Sequence, residues 1–142
     1  MRYQRLLGAW RLLSHTRRDE KGKISHPLGR RPLGYLIYSP KGFMSVCMMS
    51  RNRFQLRTPD FKNASSHQKA RAAETYMSYA GKYELRKDKV IHHVEVSLIP
   101  SWVGRKFPRK IGWIEDRLSL CSPPFLLNGK KHTTHVLWER VE

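Results

Sequence analysis

The sequence predicts an all-β domain, a meandering antiparallel barrel or sandwich of eight or nine strands with one α-helix inserted at about 66–79. Short runs of β-branched, aromatic and other apolar residues recur along the chain, each followed by Gly, Pro, Asp or Asn turn signals. Only one stretch has convincing helical periodicity, so strands do not alternate with helices as they would in βαβ units. With 142 residues the chain is one domain by length.

The first strand is expected at 8–18, with Trp10, Leu12 and Ser14 facing one way and Arg11, Leu13 and His15 the other. A Gly-containing turn at 20–23 follows, then irregular chain through Pro27, Gly29, Pro32 and Gly34, because proline removes ladder donors. Strands 34–39 and 43–50 form a hairpin about Pro40-Lys41-Gly42, whose glycine can take positive φ. Ser65 or Ser66 caps the helix, and Ala70, Ala73, Tyr76 or Met77, and Ala80 recur at helical spacing. The remaining strands are expected near 81–86, 89–99, 105–114, 117–122 and 131–141.

The strand at 89–99 carries the chemistry. Side chains alternate along it, so Val90, His92, Val94, Val96 and Leu98 share one face and Ile91, His93, Glu95, Ser97 and Ile99 the other. Either face can line the interior. One choice sets His92 among valines; the other sets His93 and Glu95 at i and i+2, a spacing suited to proton transfer in a water-poor cavity. Trp10 in the first strand and Arg140 in the last become neighbours if a barrel closes, as a cation–π contact over one end. The many bulky and thioether side chains, among them Met48, Phe107 and Trp113, suit a cavity for an irregular ligand, and Arg109 suits a carboxylate or enolate.

Charge is the outstanding global feature: 28 Lys and Arg against 11 Asp and Glu give +17. Between Lys21 and Ala73 eleven basic residues stand against Asp60 alone. Such a field attracts anionic small molecules, nucleic acid or acidic membrane surfaces, although the charges are scattered rather than blocked. The seven histidines make no HxxxH or HExxH pattern, so no metal site and no cofactor are expected. Cys47 and Cys121 lack metal-ligand or redox spacing and are expected as buried small hydrophobes. There is no Gly-rich phosphate loop and no GxSxG elbow. No apolar segment is long enough to span a membrane or to serve as a secretory signal, and the expected compartment is the cytoplasm.

The segments Pro27-Leu28-Gly29, GYLIYSPKGFMS (34–45), YAGKYE (79–84), VIHHVEVSLIPSWVG (90–104), Arg109 and RLSLCSPP (117–124) resemble the bacterial and fungal lipocalin-like domain family, in order and across nearly the whole chain. The resemblance implies a barrel with one open mouth and an interior for a small, mostly apolar compound. It further implies that some relatives act as cyclases or isomerases in natural-product pathways, supplying one acid or base. Its motif positions fall on His92, Glu95, Trp102, Gly104 and Arg109, with Tyr35, Tyr38 and Ser45 from the hairpin. Arg105 and Lys106 depart from the family pattern and weigh against a neutral ligand.

The sequence thus points to a small hydrophobic or anionic ligand held in a barrel. His92, Glu95 and Arg109 are the candidate catalytic residues, and Tyr35, Tyr38, Ser45, Met48, His93, Trp102, Phe107 and Trp113 the candidate ligand contacts. Cofactor-independent isomerisation or cyclisation and simple carriage both stay open, as does oligomeric state. A nucleic-acid-binding module using the basic surface is the less favoured alternative.

Overall fold

A computed structural model describes residues 2–142. The chain runs α1 (Arg2–Leu6), β1 (Gly8–Asp19), β2 (Ile24–Ser25), β3 (Leu33–Tyr38), β4 (Phe43–Met49), α2 (Ser66–Glu74), β5 (Tyr76–Arg86), β6 (Lys89–Ser97), β7 (Lys106–Ile114), β8 (Arg117–Cys121), β9 (Phe125–Leu127) and β10 (Lys130–Arg140). All pairings are antiparallel, and β1 pairs with β10 as well as β3, so eight strands close into a barrel while β2 and β9 extend its wall. Closure leaves no free edge in the eight-stranded wall.

The two ends differ. At one, tight turns join β3 to β4, β5 to β6 and β7 to β8, and α1 lies beneath. Gly42, at φ 93°, makes the first of these turns. At the other, long connections 20–32, 50–75, 98–105 and 122–129 form a rim. The expected Trp10–Arg140 contact seals the turn end: the two residues are paired across the seam, with the guanidinium 4.2 Å from the indole centroid. Arg140 also donates to the carbonyls of Leu7 and Arg5, and the Trp10 indole N–H donates to Leu6 O at 2.9 Å. Arg140→Ala removes the cation–π contact and two carbonyl partners together, and is expected to cost about 1–2 kcal/mol in a thermal or urea melt.

Two bulges reset the alternation that the sequence implies. In β1 the register shifts between Leu12 and Ser14, so Trp10 and Leu12 point inward and, beyond the bulge, so does His15 rather than Ser14. In β6 the shift opposite Ala80 and Gly81 keeps Val90, His92 and Val94 inside but turns Val96 out to 67% exposure. Gly81 permits this, since a Cβ there would sit 1.9 Å from His93 O.

The helix is shorter than its periodicity implies. Ser65 caps it with a full capping box through Gln68, but it ends at Glu74, and Tyr76 to Tyr79 belong to β5, paired with Met49 to Val46. None of the α2 residues is buried, so the helix owes its form to local capping, whereas residues 76–79 are captured by the neighbouring strand. Cys47 and Cys121 are half-buried free thiols, not core residues, because both sit on the outward phase of their strands. Among the described residues no helix is long and apolar enough to cross a membrane.

Candidate functional site

β6 resolves its own ambiguity. His92 is 2% exposed, and its ring lies between two hydroxyls: Tyr38 of β3 meets Nε2 at 2.6 Å and Tyr79 of β5 meets Nδ1 at 2.7 Å. Three strands therefore deliver one Tyr–His–Tyr row across the barrel interior. Burial, reinforced by the Arg109 charge and then by His93, pushes the His92 pKa down to about 3. Burial likewise holds Tyr38 well above the usual phenol range and raises Tyr79 to about 12. All three groups are neutral at physiological pH.

Neutrality fixes the hydrogen-bond count. A neutral imidazole donates from one nitrogen and accepts at the other. One tyrosine therefore gives its proton to His92, and the other receives the His92 N–H and keeps its own O–H for a third partner. No protein acceptor for that last proton is found among the described residues. Tyr79 is the tyrosine nearer the rim. Its ring meets Phe107 edge-on at 5.5 Å and Trp102 at 6.2 Å, and Trp102 and Phe107 meet each other at 5.3 Å. Trp102 stands on a one-turn 3₁₀ helix, Pro100–Trp102, and is only half-buried. The guanidinium groups of Arg105 and Arg109 lie 5.4 and 5.1 Å from the Phe107 centroid.

A second polar group lines β1. His15 is 9% exposed, and its pKa falls to about 4, through burial first and then the charges of Arg17 and Arg109. Arg17 is half-buried, with Phe125 of β9 at 5.9 Å.

The interior thus gathers Tyr38, His92, Phe107, Arg109 and Met48 from the residues singled out in the sequence, with Trp102 at the rim. The others lie elsewhere. Glu95 is exposed at the β6 bulge, Tyr35 (50% exposed) and Ser45 are on the outer wall, and His93 pairs outside with Glu84 at 3.0 Å. That contact lowers the Glu84 pKa, chiefly by the hydrogen bond from His93. The His93/Glu95 pairing therefore does not form, because the face bearing it is the outer one. Trp113 points inward but at the sealed end, 6.0 Å from Trp10 and under Arg5. Tyr79, His15 and Arg17 were not singled out by sequence. An alternation of Met77, Tyr79, Gly81, Tyr83 and Leu85 does mark Tyr79, but the helical spacing running through the same residues overrides it; His15 and Arg17 depend on a bulge that leaves no such trace. Two surface clefts, of about 440 Å³ between residues 53–61 and Ala72 and about 610 Å³ beside Arg5 and Arg117, lie apart from the Tyr–His–Tyr row.

A closed antiparallel barrel sealed at one end, with long connections at the other and polar side chains set into its interior, is an architecture used to bind small molecules. The chain belongs to the lipocalin-like domain family, which it matches over residues 7–141. It is 25% identical over 107 residues to a 4'-hydroxy-3'-methoxypropiophenone carrier protein of Aspergillus oryzae, an alignment covering 69% of this chain and 96% of that protein. A solved lipocalin-like protein from Bacteroides uniformis is 13% identical, covers 96% of this chain and 98% of its own, and superposes with a TM-score of 0.47.

Proposed function

We propose that this protein binds and carries a small, largely hydrophobic molecule bearing a carbonyl or enol oxygen, taken in through the rim and held by the Tyr79 hydroxyl. The spare O–H of the Tyr38–His92–Tyr79 row carries the reading, since a buried donor without an acceptor is costly and a ligand oxygen would satisfy it. It falls on Tyr79 in the tautomer in which Tyr38 donates to His92 Nε2 and His92 Nδ1–H donates to Tyr79. Trp102 is the side chain that must move aside, being half-buried on a short turn rather than fixed in a strand. The aryl ketone in the name of the Aspergillus oryzae relative belongs to the same chemical class.

Titrating 4'-hydroxy-3'-methoxypropiophenone and related aryl ketones against tryptophan fluorescence tests this. Binding is expected to change the emission, and Tyr79→Phe, which removes one hydroxyl and keeps the ring, is expected to weaken it about tenfold. Silence across the panel, or full affinity in Tyr79→Phe, overturns the reading.

A second reading, proton transfer to or from the same oxygen during isomerisation or cyclisation, is favoured by the neutral imidazole next to the spare proton. His92 and Arg109 would then act. Its check is α-carbon deuterium exchange of a bound ketone followed by NMR: a catalytic His92 predicts a loss of at least about a hundredfold in His92→Gln. Exchange at the uncatalysed rate leaves carriage.

A further inference from the structure

We infer that Arg17 and Arg109, with His15 between them, form an anion receptor in the rim half of the barrel, so that the carried molecule is held as an oxyanion, a carboxylate or a phenolate. The inference rests on the binding reading above and adds the charge of the ligand to it.

The first support is an inventory of counter-charges. Two arginines, each half-buried, rise from the inner face of the wall, Arg17 with its Nε buried, and the charge of each acts on His15. Burying a cation is costly unless an anion or a full set of acceptors meets it. The chain has 11 acidic residues, and among the described residues no ion pair joins any of them to these arginines. Glu20, Asp60, Glu74, Asp88, Glu95, Glu115, Asp116 and Glu142 are exposed. Glu84 is engaged by His93 and Arg86, and Glu139 by Arg11, all on the outer wall. Asp19 accepts from the turn N–H groups of Lys21 and Lys23 at 3.0 and 2.8 Å. Among the described residues the one hydrogen-bond acceptor that Arg109 reaches is the carbonyl of its neighbour Pro108, at 2.9 Å.

The second support is independent of charge. Among the described residues the buried side-chain polar atoms without a hydrogen-bond partner are His15 Nδ1, Arg17 Nε and Trp138 Nε1. They are not scattered. Leu12 pairs with Trp138, His15 with Val136 and Arg17 with Thr134, so all three atoms belong to the inner face of the β1–β10 seam. Native interiors leave few such atoms, and Arg17 Nε and Trp138 Nε1, which can only donate, flank His15 Nδ1, which donates in one of its two tautomers, so the run along one seam suits an absent acceptor. Phe125 beside Arg17 supplies an aromatic wall, and the Tyr–His–Tyr row lies on the other side of Arg109, whose charge acts on Tyr38, His92 and Tyr79 as well as on His15. A molecule with an acidic oxygen at one end and a carbonyl at the other would meet both.

Matched probes test this by tryptophan fluorescence. One pair is 4-propionylbenzoate and its methyl ester; the other is 4'-hydroxy-3'-methoxypropiophenone, at a pH where its phenol is ionised, and its methyl ether. The acid of at least one pair is expected to bind about tenfold or more tightly than its neutral partner. That ratio should fall toward one in Arg17→Gln and Arg109→Gln and survive in large part in Arg17→Lys, which keeps the charge. A preference confined to the first pair assigns a carboxylate, to the second a phenolate. Because the buried Arg17 Nε meets no acceptor, Arg17→Gln is also expected to melt no lower than the unaltered protein. Equal affinity for acid and neutral partner in both pairs, or a preference untouched by both Gln substitutions, overturns the anion receptor and leaves the binding reading standing. No binding of any of the four probes overturns both.

Discussion

Replacing His92 with alanine is expected to lower the free energy of unfolding by about 3–5 kcal/mol, read from urea denaturation at neutral pH. Two losses combine. The imidazole fills the centre of a packed interior, so its removal leaves a cavity. The Tyr38 and Tyr79 hydroxyls, both buried, lose their shared partner in a place where water does not readily replace it. The second loss predicts a rescue. In the triple change Tyr38→Phe, His92→Leu, Tyr79→Phe no polar group is left unpaired, and a good part of the stability should return even though the site is gone. A cost below about 1 kcal/mol for the alanine change would mean that the row does not hold the barrel together.

Acid should unfold the protein for a related reason. The folded barrel keeps His92 and His15 neutral down to about pH 3 and about pH 4, whereas in the unfolded chain both titrate near their ordinary value of 6.5. Between these limits the unfolded state binds protons that the folded state refuses, so stability is complete above pH 6.5 and falls on acidification. The slope approaches about 1.4 kcal/mol per pH unit for each histidine. Urea midpoints from pH 7.5 to 4.5 check this. A flat profile would contradict it, and His15→Asn should remove about half of the slope without disturbing the Tyr–His–Tyr row.

The contrast between β6 and β1 shows what the sequence could reveal. VIHHVEV alternates so regularly that its two faces could be written down, and the structure needed only to choose between them. It chose the valine face because two valines, Val90 and Val94, and a hydrogen-bonded imidazole are cheaper to bury than Glu95. β1 gave a wrong face beyond Leu12, since one extra residue in a ladder reverses every side chain after it, and nothing in Leu-Leu-Ser-His marks where it is inserted. His15 and Arg17 were hidden for that reason. Tyr79 was hidden by a different conflict: the alanines of α2 continue a helical rhythm into residues whose backbone groups are claimed by β4. Local propensity lost there to long-range pairing.

The seam between β1 and β10 also governs how the molecule is made. Arg11 and Glu139, which it brings together, are 128 residues apart in the chain. Every other pair of neighbours in the barrel wall follows in chain order, separated at most by the 50–75 connection, so this pairing requires the largest loop to close, and the most conformational freedom to be lost, in a single step. Folding should therefore be slow for a chain of this size, with a late intermediate that is already a curved sheet but still exposes two unpaired borders, the species from which aggregation would start.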